Sequence, residues 1–204
     1  MQTAAAPEAE KAGTDPGAEE AESALTYFTV LLGERTGSLF ECQRLYVYWE
    51  TAQDHVTVHR SSPEHALILN AGAYDVSARL LEENLQVDDG WVARKDPGVI
   101  VKIVRGSVLG GSVSDERAAE AAYRSLVSRE GWREIDAVRN GRVVLLSEEL
   151  LQAPSLQVAA MLIIARTANP ELYADTDPGE ALRMLAEEAA GTLPAGIYYY
   201  QGGK

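Results

Sequence analysis

An α/β lobe of three layers, with a mainly parallel central sheet flanked by helices, is what this sequence predicts. Three observations carry that expectation. Short apolar runs, among them 99–104 (VIVKIV) and 142–146 (RVVLL), alternate with segments bearing helix signals. The runs show little polar alternation, the pattern of strands covered on both faces by helices. Finally, 204 residues with 46% hydrophobic side chains supply one core and suit one domain with a tail.

The elements follow in order. Residues 1–23 are rich in Ala, Pro, Gly and Glu and are expected to form a disordered acidic tail, fraying into helix from Gly17. This start has neither the basic residues nor the apolar stretch of a secretory leader. Residues 24–32 (ALTYFTVLL) admit a strand by composition or the end of a long helix by position. The helix is preferred, with Gly33 and Gly37 marking a break. Residues 44–50 (RLYVYWE) are dense in side chains that suit a pleated surface and predict a strand. Val56 and Val58 belong to a short strand or an extended loop. A Ser cap, Pro63 and Glu64 open a helix that stops at Gly72. A short helix over 87–95 ends in the turn Asp96-Pro97-Gly98, and a buried strand over 99–104 follows. Ser114 caps the next helix, which runs to about residue 128 beyond the Gly-rich loop 105–113. One or two helical turns over 130–137, a turn at Asn140-Gly141 and a strand over 142–146 come next. Pro154 begins an apolar helix to 167, Asp177-Pro178 an amphipathic one to 190, and the tail is short and aromatic.

In such sheets ligands meet the chain beyond the carboxyl ends of the strands. Here those ends are 50–53, 104–111 and 147–154. Tyr48 and Trp49 stand at one of them, where core packing competes with ligand contact. Arg105 stands just past another, fit for a surface ion pair or for an anionic ligand.

Other chemistry finds little material. Eighteen Lys and Arg against 31 Asp and Glu give a net charge of −13, and no basic run exists, which argues against nucleic acid. A single cysteine, Cys42, makes no internal disulfide and no Cys-rich metal site. No apolar run approaches the ~20 residues of a membrane span. Loop 105–113 fits neither phosphate-loop spacing, and Asp115 and Glu116 would oppose an anion there. His55 and His59 would lie ~13 Å apart on an extended segment, too far for one ion; they and His65 read as solvated loop residues. The adjacent pairs Glu82-Glu83 and Glu148-Glu149 point apart, and no nucleophile elbow is present. No enzyme activity, cofactor or metal is therefore expected.

The segments also stand in a telling order. Residues 44–50 are followed by 61–78 (SSPEHALILNAGAYDVSA), 91–104 (WVARKDPGVIVKIV), 131–146 (GWREIDAVRNGRVVLL), 168–191 (ANPELYADTDPGEALRMLAEEAAG) and 196–201 (GIYYYQ). This series resembles the C-terminal lobe of ABC-transporter periplasmic substrate-binding proteins of the helical-backbone class, the iron-siderophore, haem and cobalamin type. Gly98 departs from the acidic residue usual at its place. The resemblance implies half of a two-lobe protein: a tail at 1–23, a remnant of the interlobe helix and connector at 24–43, and the lobe at 44–204. It implies a ligand-binding edge made by Tyr48, Trp49, Thr51, Arg105, Gly106, Glu148 and Pro154, and permease docking through Glu64. The implied partners are an iron chelate, haem or corrinoid shared with a second lobe, and an ABC permease. Location is extracytoplasmic if a leader has been removed. One lobe offers half a cleft, so a lobe that has become an interaction module, such as a homodimer, is the alternative. A small α/β enzyme is a third reading.

Overall fold

The computed structural model describes residues 16–190 and 195–202. Strands β1 (Tyr46–Glu50), β2 (Tyr74–Asp75), β3 (Val99–Val104), β4 (Val143–Ser147) and β5 (Tyr199–Gln201) make one sheet in the order β2-β1-β3-β4-β5. The first four are parallel, and β5 runs antiparallel to β4. Parallel neighbours need crossovers, and helices supply them. Helix α1 (Pro16–Gly37) precedes the sheet, α2 (Pro63–Asn70) joins β1 to β2, and α3 (Asp89–Lys95) joins β2 to β3. Helices α4 (Arg117–Val127) and α5 (Asp136–Arg139) join β3 to β4, and α6 (Pro154–Ala168) and α7 (Pro178–Ala190) lead to β5.

The period of two along each strand divides the core into two layers. Val47, Trp49, Val99, Val101, Ile103, Val144 and Leu146 face one way, against α1, α2, α6 and α7. Tyr48, Ile100, Val104, Val143 and Leu145 face the other, against α3, α4, α5 and Trp132. The three-layer expectation holds. Helix α6 is apolar nearly all round because it lies under other helices as well as on the sheet. Helix α1 is pinned by Arg35, whose guanidinium bonds Asp175 at 2.7 and 2.9 Å and the Leu172 carbonyl at 2.9 Å.

Several boundaries differ from the sequence-based expectation. Residues 24–32 are helical, as preferred, but the helix runs through Gly33 and ends only at Gly37. Its backbone is helical from Pro16, so residues 16–23 of the expected tail stand in α1; residues 1–15 lie outside the described part. Ser114 is no cap: α4 begins at Arg117, whose N–H is taken by Asp115 Oδ1. Ser62 occupies the N-cap of α2, yet its hydroxyl accepts from the His59 N–H instead of capping the helix. Helix α3 starts at Asp89 because Asp88 accepts from the Trp91 N–H. The histidines are not simply solvated loop residues. His55 lies 2.8 Å from Asp89, and His65, within α2, lies 2.9 Å from a fully enclosed Asp75 carboxylate. His59, 12% exposed, is 3.9 Å from Glu82.

Gly72 has φ +79°, and a Cβ there would come within 2.8 Å of the Thr36 methyl. The chain turns from α2 into β2 directly against α1, and only glycine suits both conditions. Gly72→Ala is expected to cost about 1–3 kcal/mol. Urea unfolding should show it as a lower midpoint at unchanged slope.

Candidate functional site

Register aligns the carboxyl ends of the strands. Val104 on β3 lies opposite Ser147 on β4, so Arg105 and Glu148, the next residues, leave the sheet side by side. Glu50 ends β1 opposite Lys102, which sets Thr51 slightly deeper than Arg105. Arg105 is exposed and carries no side-chain hydrogen bond among the described residues. Gly106, Thr51 and Glu148 are half-buried, and Pro154 is exposed as the first residue of α6. Glu64 stands half-buried in the first turn of α2, which departs from the same edge. Loop 105–113 is braced by the Gly110 N–H donating to the Ile197 carbonyl at 2.7 Å and by the Gly111 N–H donating to Glu149 at 3.3 Å.

Two predicted contacts do not reach this edge. Tyr48 is 0% exposed and Trp49 1%, on opposite faces of the sheet. Trp49 packs in the α1/α6 layer; Tyr48 meets Trp132 edge-on at 6.1 Å. A strand flanked by helices on both faces leaves no solvent to either ring, so the ligand-contact expectation for them is corrected. A cavity of about 510 Å³ opens at the opposite end of the sheet, between Ser38, Gln43, Arg142 and Asn169, and holds none of the predicted contacts.

What the sequence did not foretell is a charged cluster under the β1 end. Glu50, with no exposure, accepts two bonds from Arg129, at 2.7 and 3.0 Å, and lies 2.8 Å from Lys102 Nζ. The Tyr48 hydroxyl donates to it at 2.9 Å. Lys102 also donates to the Thr51 carbonyl at 2.9 Å and to Asp54 at 2.7 Å. Asp54 lies 3.2 Å from Arg129, whose guanidinium sits 4.8 Å over the Trp132 ring. Burial pushes the Glu50 carboxyl up, but the bonds from Arg129 and Lys102 together outweigh it and hold Glu50 below its ordinary range. Asp54 is held low chiefly by its bond to Lys102. Tyr48 is driven far up, by burial first and the Glu50 charge second.

This cluster anchors Thr51 and the 51–54 turn to β3, so it positions one side of the predicted edge. Glu50 and Lys102 left a trace in the sequence: each is a lone charge in a run of otherwise strand-forming residues, and a doubly covered sheet demands a partner for such a charge. Arg129, after the end of α4, left none. Among the described residues no group of three or more His, Cys, Asp or Glu could hold a metal ion, and no helix is long and apolar enough to cross a membrane.

No family model and no curated protein matches this chain. Solved structures do. The TroA-like periplasmic binding protein FepB of Veillonella parvula is similar with a TM-score of 0.76 and 18% identity, over 91% of this chain and 56% of its own. The molybdate periplasmic binding protein MolA of Haemophilus influenzae, bound to molybdate, gives 0.63 and 19%, over 87% and 52%. CeuE of Helicobacter pylori, with Ni(II) bound, gives 0.62 and 11%, over 84% and 52%. This chain thus spans about half the length of the solved structures it resembles. It has the fold of a lobe of the TroA-like periplasmic solute-binding proteins of ABC transporters.

Proposed function

We propose that this chain is the solute-binding lobe of an ABC importer, and that the edge formed by Thr51, Arg105, Gly106, Glu148 and Pro154 holds one side of the ligand. The observation that carries the reading is Arg105: a cation without a partner among the described residues, at the carboxyl edge of a parallel sheet, in a chain that spans about half the length of its structural relatives. Side chains so placed receive ligands in open α/β folds, and an unpaired guanidinium suits an anionic chelate or a carboxylate. The solute class follows from the sequence resemblance: an iron chelate, haem or a corrinoid. The Ni(II) and molybdate in two structural relatives accord with a metal-type cargo. A second lobe completes the cleft, the permease is met through Glu64 at the α2 start, and the protein works outside the cytoplasm.

Titrations with hemin, a ferric catecholate and cyanocobalamin, read by absorbance and tryptophan quenching, test this. One of the three should bind, and Arg105→Ala should weaken it about tenfold, equivalent to about 1.4 kcal/mol. Failure of all three to bind, or binding indifferent to Arg105→Ala, defeats the proposal. A stable dimer by light scattering together with no binding would favour the interaction-module alternative.

A further inference from the structure

We propose that Lys102 and Arg129 form a carboxylate-binding site which Asp54 occupies from within the chain, and which a small organic carboxylate takes when the Asp54 side chain turns out. The site adjoins the Thr51 side of the proposed edge, since Lys102 also donates to the Thr51 carbonyl, but it involves neither Arg105 nor the solute carried there. Its donors converge: Lys102 Nζ and Arg129 Nη2 lie 2.7 and 3.2 Å from the same atom, Asp54 Oδ1. That atom therefore marks where a carboxylate oxygen is received.

The donors do not depend on Asp54 for their placement. Glu50, wholly enclosed, grips both arms of Arg129 at 2.7 and 3.0 Å and Lys102 at 2.8 Å from below. Trp132 supports the guanidinium from its face. Two cations against the buried Glu50 leave one positive charge directed outward, and Asp89, the further carboxylate that acts on Arg129, is itself engaged by His55 at 2.8 Å. A single carboxylate balances it, whereas a phosphate dianion overshoots.

Asp54 differs from Glu50 in the one respect that matters for exchange. The Asp54 side chain is 69% exposed and that of Glu50 0%. An exposed carboxylate gives up little in leaving, because water takes over its solvation. Only the side chain must move. The turn itself is tied by the Thr51 N–H to the Val56 carbonyl at 2.8 Å, and Gln86 reaches the Asp54 carbonyl at 3.4 Å. His55, next in the chain at φ +62°, fixes the sharp bend that presents Asp54 to the two cations.

Titration of the full chain with ¹³C-acetate at constant ionic strength, followed by NMR line broadening, tests the site. Asp54→Asn and Asp54→Ala should each bind acetate at least tenfold more tightly than the unaltered protein. Glu83→Gln, which removes an equal charge from an exposed position elsewhere, should gain nothing. Equal affinity in the Asp54 variants and the unaltered protein, or an equal gain in Glu83→Gln, overturns the proposal. Inorganic phosphate displacing acetate as well as a second carboxylate does would overturn the assignment to carboxylates.

Discussion

Replacing Arg129 by methionine is expected to lower the free energy of unfolding by about 3 kcal/mol at neutral pH. The loss exceeds that of a surface ion pair because Glu50 has no access to water and would keep its charge with half its partners gone. Lys102 remains beside it, which places the effect at the low end of the range for a broken buried pair. The pH dependence distinguishes this from lost packing. In the unaltered protein the Glu50 pKa is depressed on folding. Its contribution is present above the unfolded value of ~4.3 and fades as pH falls through the folded one. In Arg129→Met the largest of the lowering contributions is gone while burial still raises the carboxyl, so the Glu50 pKa is less depressed than in the unaltered protein. The stability gap between the two proteins should therefore narrow as pH falls from neutral through ~4.3 and below, where the unaltered protein loses the Glu50 contribution. A gap that stays constant over that interval would assign the effect to packing alone.

The second large effect concerns Trp49. Trp49→Ala is expected to cost about 3–5 kcal/mol, since it empties a fully enclosed site between β1 and the α1/α6 layer. Any ligand affinity of the folded fraction should be unchanged, because the indole does not reach the carboxyl edge. Chemical denaturation together with a ligand titration at low temperature separates the two. A marked loss of affinity with stability intact would restore Trp49 to the binding edge.

Legibility in the sequence followed the length and uniformity of each signal. The runs 99–104 and 142–146 announced β3 and β4 because every neighbour agreed. Strands β2 and β5 did not stand out, having two and three residues, too few for any period to show. Helix α1 continued past Gly33 because nothing crowds that glycine and Leu32 and Thr36 on either side are buried, so tertiary packing outweighed a local breaker. The carboxyl edge could be found from strand ends alone. Which side chains on it stay open could not, since Tyr48 and Trp49 are sealed by helices distant in sequence. The Glu50 cluster was partly visible, in Lys102 and Glu50, and partly hidden: Arg129 is 79 residues from Glu50, and no local rule reports that encounter.

The margins of the sheet carry a consequence for assembly. One border is the two-residue β2 and the other the three-residue β5, which opposes its neighbour in direction. Strands this short offer an incoming chain little unpaired backbone to template on. Growth of the sheet by accretion of foreign strands is thereby discouraged at both flanks. Any companion must approach through loops and side chains, and recognition then rests on surface chemistry instead of indiscriminate main-chain pairing.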